Sequence, residues 1–345
     1  MKLTTEQLTF SICYTIVNYS NRGIQMKPRI FITRKLDDRA VAPLKEKFDV
    51  RMWASESESV PRDLLLKEVS EADALWTVLA DSVDRELFKA APKLKIVSNM
   101  AVGYNNIDIE AAKEHGVIVT NTPGVLTETT ADLAFALLLA TARNLMVAED
   151  AIRKGNWTSW SPMGYTGMDI GGATLGIIGM GRIGEAVARR AKGFDMRVLY
   201  NNRNRKTEAE AEHGFEFMEL DMLLKEADFV VILAPYTPET VGLIGERELG
   251  LMKKTAVLIN VARGGIIDET ALYNALKNDT IWAAGLDVFE TEPVPLDNPL
   301  LSLPNVTVLP HIGSASIKTR LAMMNLNVQA ITDVLEGREP ENRVE

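Results

Sequence analysis

The sequence predicts an α/β protein of two doubly wound parallel-sheet domains with a cleft between them, and three observations carry that prediction. Short apolar runs alternate with amphipathic stretches from Met26 to about Val119, and do so again from Thr174 to about Leu309. Such alternation marks parallel strands joined by helices on both faces. At 345 residues the chain also exceeds the roughly 250–300 at which a single core stops growing. Finally, Gly179-Met180-Gly181-Arg182-Ile183-Gly184 lies near the middle of the chain, so something else must be built before it.

Taken in order, residues 1–25 read as an N-terminal extension, disordered or a mis-assigned start, because Met26-Lys27-Pro28 runs straight into a first strand. Strands are expected at Arg29–Thr33, Val50–Trp53, Ala74–Leu79, Leu94–Ser98 and Val117–Val119, with helices between them such as Arg39–Phe48 and Pro61–Ser70. The segment from Thr127 to Arg153 is rich in Ala and Leu and apolar around most of its circumference. A helix of that kind must be buried, here between domains or between subunits. The second set of strands is expected at Leu175–Ile178, Arg197–Tyr200, Phe229–Leu233, Ala256–Asn260, Trp282–Leu286 and Val306–Leu309. A last helix, Ala315–Glu336, is free to return to the first sheet. The expected division is therefore 26–125 plus 313–345 for one domain and 126–312 for the other.

The glycine turn has the right flanks. Thr174-Leu175-Gly176-Ile177-Ile178 suits a buried parallel strand, and Glu185–Ala191 continues as a good helix former. In a turn of this spacing the first glycine permits the tight bend, the second lets backbone approach a pyrophosphate, and the third lets helix pack on strand. The helix N-terminal N–H groups then receive the phosphates.

Composition bounds the partners. A formal net charge of −9 argues against a nucleic-acid surface or an anionic-membrane patch, both of which favour a basic face. No apolar run reaches the roughly 20 residues that span a bilayer. Cys13 is the single cysteine, which removes disulfide scaffolds and cysteine-based metal sites and suits a reducing cytoplasm. No metal site is expected.

Polar residues cluster where predicted strands end, which is where open parallel sheets bind ligands. Arg263 follows the apolar run Ala256–Ile259, and a guanidinium there can grip a carboxylate with two parallel hydrogen bonds or simply sit in a surface loop. His115 and His213 each precede a glycine at the end of a helical pattern and read as helix C-terminal residues. His311, between Pro310 and a glycine-serine turn, is the candidate for proton transfer near neutral pH. Asp287, Glu290 and Glu292 are its possible acidic partners, with Glu292 set in its turn by Pro293. A carboxylate bonded to an imidazole favours the protonated ring.

The glycine turn, then Val261-Ala262-Arg263-Gly264-Gly265, then Gly285-Leu286-Asp287-Val288-Phe289 ending in Glu292-Pro293, then Pro310-His311-Ile312-Gly313, resembles the D-isomer-specific 2-hydroxyacid dehydrogenases. Ala101–Asp108 and Thr130-Ala131-Asp132 resemble that family's substrate-loop and hinge-helix patterns, so the likeness runs from Met26 onward. The resemblance implies a flavodoxin-like substrate domain and a Rossmann domain. It also implies that His311 protonates the keto oxygen, that Glu292 holds His311 charged, and that Arg263 binds the substrate carboxylate. Asp287 would meet the nicotinamide carboxamide, and Pro235, Val261, Ala262, His311 and Gly313 would line the dinucleotide beside the turn 179–184. Leu79, Val102 and Gly103 would contact the substrate from the other domain, so that closure assembles the site and excludes water.

Within the family the likeness is to glyoxylate and hydroxypyruvate reductases, including relatives that reduce 2-ketogluconate. In such enzymes a loop similar to Asn156–Trp160 crosses a homodimer, which would bring Trp160 to the neighbouring subunit's substrate. An NAD-preferring site usually offers Asp or Glu about 20 residues beyond the glycine turn. Here the sequence reads Asn201-Asn202-Arg203-Asn204-Arg205-Lys206, with two arginines able to meet a 2′-phosphate, so NADPH is expected over NADH. The expected activity is reduction of a small 2-keto acid in the cytoplasm. 2-Ketogluconate reduction and a cofactor-gated, corepressor-like binding role stay open beside it.

Overall fold

The computed structural model describes residues 27–344, so the expectation about residues 1–25 lies outside them. The first five strands, β1 (Arg29–Ile32), β2 (Asp49–Met52), β3 (Ala74–Thr77), β4 (Ile96–Asn99) and β5 (Ile118–Thr120), form one parallel sheet in the order β2-β1-β3-β4-β5. That is the flavodoxin-like order. The next seven, β6 (Thr174–Ile178), β7 (Arg197–Asn201), β8 (Glu216–Phe217), β9 (Phe229–Ile232), β10 (Val257–Asn260), β11 (Ala283–Leu286) and β12 (Val306–Val308), run β12-β11-β10-β9-β6-β7-β8, all parallel. The order reverses between β6 and β9, the switch point at which such sheets bind dinucleotides.

Central strands are buried on both faces because helices cover both. In β3, Leu75 packs into one core while Ala74 and Trp76 pack into the core on the opposite face, as the period of two requires. In β10, Leu258 and its neighbours Val257 and Ile259 divide the same way. Near-continuous apolar runs, rather than alternation with polar residues, follow from this double coverage.

Two expectations need correction. The long apolar segment is not one helix: Thr127–Ala142 and Leu145–Arg153 meet at a bend of 66°. Asn144 sits at the break in the left-handed conformation (φ 53°), which Asn tolerates better than most residues, and its side-chain amide donates to the Thr166 carbonyl at 2.7 Å. The first helix is buried against β10 and β11. The second leaves Leu145, Met146, Val147 and Ile152 exposed, so burial all round holds for only half of the segment. The second correction is β8, whose two residues are too short to give a periodic signal; it exists by pairing with the edge of β7.

The helix Ile317–Leu335 packs on the first sheet rather than the second. Met323, Ala330 and Ile331 join the core around Ile30 and Trp76, and the buried Asn327 amide donates to Ser98 Oγ at 2.8 Å. Among the described residues no single helix is long and apolar enough to cross a membrane.

Candidate active site

A cleft of about 640 Å³ runs between the two sheets at the C-terminal ends of their strands. From the first sheet's side it is lined by Leu79, Met100, Val102, Gly103 and Asn105; from the second come Arg182, Pro235, Val261, Arg263, Asp287 and His311. Residues far apart in sequence are thus gathered by strand ends.

His311 follows β12 with a left-handed backbone (φ 54°), a conformation that a non-glycine residue holds only when its surroundings impose it. Asp287, at the end of β11, supplies the restraint. Its carbonyl accepts the His311 N–H at 2.8 Å, Oδ1 accepts the Ile312 N–H at 2.7 Å and Oδ2 the Gly313 N–H at 2.9 Å. Burial pushes the Asp287 carboxyl up, against these donors and the neighbouring His311. The His311 ring is aimed by Glu292, whose Oε2 lies 2.7 Å from Nδ1, while Oε1 accepts the Phe289 N–H at 3.0 Å. Burial acts to raise the Glu292 carboxyl, but the hydrogen bond and charge of His311 outweigh it and hold Glu292 below the usual carboxylate value. Of the three acidic candidates, Glu290 instead faces the helix that begins at Glu269, accepting that residue's N–H at 3.2 Å.

Arg263 projects from the loop after β10. Asn260, buried at the strand end, shapes that loop by donating to the Arg263 carbonyl at 2.8 Å and accepting the Ala262 N–H at 3.0 Å. The guanidinium is tied to the Ala262 carbonyl through Nη1 at 2.7 Å and to Asn105 Oδ1 through Nε at 3.1 Å. Burial pulls it below the ordinary arginine value, countered by the charge of Glu292. A side chain that is desolvated, cationic and bonded only to neutral oxygens is ready for an anion.

The glycine turn fits a dinucleotide. Gly179 has φ 104°, and a Cβ there would come within 2.5 Å of the Ala234 backbone nitrogen. A Cβ on Gly181 would meet nothing within 4 Å, so that backbone faces open space at the N-terminus of the helix Arg182–Ala191. Met180 is buried beneath the turn, Ile183 lines the cleft, and Gly184 lies in the first turn of the helix. Beyond β7, Asn202 donates to the Asn204 carbonyl at 2.8 Å and closes the basic turn. Arg205 is not free: Glu210 pairs with it at 2.7 Å and also accepts the Tyr200 hydroxyl at 2.6 Å, which together hold Glu210 down to about 2. Arg203 is exposed and makes no ion pair among the described residues.

Leu79, Pro235, Val261, Ala262 and Gly313 all line the cleft; Trp160 does not, and is 78% exposed within this chain. Sequence reasoning gave no individual role to Asn99, Asn105, Asn106 or Asn260, although Asn105 and Asn106 lie in the Ala101–Asp108 loop and Asn260 directly precedes the Val261–Gly265 motif. Asn99 and Asn106 bind one another at 3.2 Å, Asn99 donates to the Gly103 carbonyl, and Asn106 donates to the carbonyls of Val78 and Asp81. The available signal was a polar amide ending an apolar strand, at Asn99 of β4 and Asn260 of β10. Arg320, from the helix Ile317–Leu335, also lines the cleft and was not foreseen. Among the described residues no cluster of three or more His, Cys, Asp or Glu side chains could hold a metal ion.

The NAD-binding-domain model of the D-isomer specific 2-hydroxyacid dehydrogenases matches residues 135–313. A glyoxylate reductase of Pyrococcus horikoshii is 51% identical over 323 residues, covering 92% of this chain and 96% of that protein. One from Korarchaeum cryptofilum is 49% identical with the same coverage of both chains. Among solved structures, the NADPH-dependent glyoxylate/hydroxypyruvate reductase of Sinorhizobium meliloti with NADP and malonate is 36% identical. It superposes with a TM-score of 0.81 over 92% of this chain and 97% of that one.

Proposed function

Since the chain belongs to the D-isomer-specific 2-hydroxyacid dehydrogenase family, we propose that it reduces glyoxylate or hydroxypyruvate to glycolate or D-glycerate, with NADPH preferred to NADH. The observation that carries this reading is the 2.7 Å pair of His311 and Glu292 opening on the same cleft as Arg263. An acid and a carboxylate receptor, held on different strand ends, are what reduction of a 2-keto acid needs.

Arg263 receives the substrate carboxylate by two parallel hydrogen bonds, joined by the backbone N–H groups of Val102 and Gly103. With Nδ1 of His311 committed to Glu292, Nε2 is the nitrogen left to face the keto oxygen and give it a proton. Glu292 keeps the ring oriented through its bond to Nδ1. The chemistry that a bound nicotinamide would supply is hydride transfer to the carbonyl carbon. Asp287 and the turn 179–184 are the residues that would hold it, and Arg203 is the cation that would meet a 2′-phosphate, with Asn202, Asn204 and Arg205 shaping that turn. The apolar cleft walls exclude water once both halves meet.

The working unit on this reading is a cytoplasmic homodimer. Leu145, Met146, Ile152, Trp157, Trp160 and Met163 are each exposed apolar side chains that a second copy would cover, bringing Trp160 towards the neighbour's cleft. Sedimentation showing a monomer at working concentration would contradict the dimer. The activity is tested by kcat/KM for glyoxylate, hydroxypyruvate and 2-ketogluconate with NADPH and with NADH. Greatest efficiency on 2-ketogluconate would move the substrate within the family. Negligible cofactor oxidation with every 2-keto acid would favour a cofactor-gated binding protein.

A further inference from the structure

We infer that Asn105 is a positioning residue that aims Arg263 from across the cleft, so that carboxylate binding is coupled to the meeting of the two halves. The inference rests on the keto-acid reduction proposed above. Arg263 is a long side chain, and its own domain fixes it by a single bond, from Nη1 to the Ala262 carbonyl. That bond leaves the guanidinium plane free to turn. The second tether, Nε to Asn105 Oδ1 at 3.1 Å, comes from 158 residues away in sequence and stops the rotation. Nε carries a single hydrogen, so the tether leaves the end-on fork of Nη2 and the second Nη1 hydrogen for a ligand, and Nη2 lies against Gly103 where any Cβ would overlap it.

The loop that presents Asn105 is itself held. Asn99 anchors the Gly103 carbonyl at 3.0 Å, and Asn106, next to Asn105, is tied to the carbonyls of Val78 and Asp81 at 3.3 and 3.0 Å. Asn105 is therefore a fixed acceptor, and separation of the two halves would remove it from Arg263. A guanidinium no longer held in plane offers a carboxylate one bond at a time in place of two parallel ones.

The test compares wild type, Asn105→Ala and Asn105→Asp, the last of which keeps an Oδ acceptor in place. Keto-acid KM and kcat, NADPH affinity and thermal midpoint are measured, together with binding of oxalate to the NADPH complex as a readout that needs no turnover. Asn105→Ala is expected to raise KM and to weaken oxalate binding by about 10- to 100-fold. Its NADPH affinity and thermal midpoint should stay at wild-type values, and Asn105→Asp should restore most of the loss. Wild-type KM in Asn105→Ala, with wild type itself active, would overturn the role of Asn105 and leave the reductase reading standing. A loss that Asn105→Asp does not restore, or one that tracks a fall in thermal midpoint, would also overturn it. A wild-type protein inactive on every 2-keto acid would remove the reductase reading and this inference with it.

Discussion

His311 Nδ1 and Glu292 Oε2 stand 2.7 Å apart, and the second oxygen of Glu292 is spent on the Phe289 N–H at 3.0 Å, so the carboxylate has no freedom to leave the imidazole. The pair joins a loop after β11 to a loop after β12, and both loops are further tied through Asp287.

Glu292→Gln should lower kcat by about 10- to 100-fold, since an amide cannot stabilise an imidazolium as a carboxylate does. The stability effect has a definite sign. The folded-state Glu292 lies below the usual value of 4.5, so its ionised form stabilises the fold above that pH, and the contribution is lost as pH falls through the lowered value. The gap in Tm between wild type and Glu292→Gln should be widest above about pH 5 and should close on further acidification. A gap that widens towards acid would contradict this.

His311→Asn should cost about 100- to 10,000-fold in kcat, the usual worth of a positioned general acid, while NADPH titration by fluorescence changes little. Turnover at the wild-type rate would remove His311 from the proton-transfer role.

Two glycines should fail differently when changed to Ala. The Gly103 Cβ meets the far end of Arg263, a flexible side chain that can move aside, so folding should survive while KM for the keto acid rises at least tenfold, by about the worth of one charge-assisted hydrogen bond. The Gly179 Cβ meets the Ala234 backbone in a φ of 104°, so the strain of about 1–3 kcal/mol cannot be relieved by a rotamer change. That variant should show a lower thermal midpoint and weak dinucleotide binding. Equal behaviour of the two in melting and kinetics would refute the distinction.

Arg203→Ala should lower kcat/KM with NADPH by about 10- to 100-fold and leave NADH nearly untouched. Arg205→Ala should matter less for this ratio, because Arg205 is already engaged by Glu210. The ratio of the two cofactors' kcat/KM values decides it; an unchanged ratio in Arg203→Ala would exclude the 2′-phosphate contact.

Much of this was legible in the linear sequence because it depends on local rules. Double coverage by helices makes parallel strands read as apolar runs, and eleven of the strands lie within or beside the runs Arg29–Thr33 to Val306–Leu309. Glycine spacing between β6 and the helix Arg182–Ala191 identified the turn, and polar residues at strand ends pointed to Arg263, Asp287 and His311. The break at Asn144 was not legible, since an apolar helical period carries no mark of the Thr166 carbonyl that captures the Asn144 side chain.

The sequence by itself determined the two-sheet architecture, the dinucleotide turn and the residue types of the chemistry, because propensity, periodicity and turn geometry act over a few neighbouring positions. Only the tertiary structure decided the pairings. Three acidic residues competed for His311, and the 2.7 Å approach of Glu292 settled it. Two arginines stand in the basic turn, and the fold pairs one of them, Arg205, with Glu210. Asn105 lies in the Ala101–Asp108 segment that the sequence marks as a substrate loop, but its bond to Arg263 across the cleft has no mark in the sequence. Hydrogen bonds lose most of their strength within an ångström of their optimum, so which partners meet depends on how distant strand ends converge, a quantity that no local pattern contains.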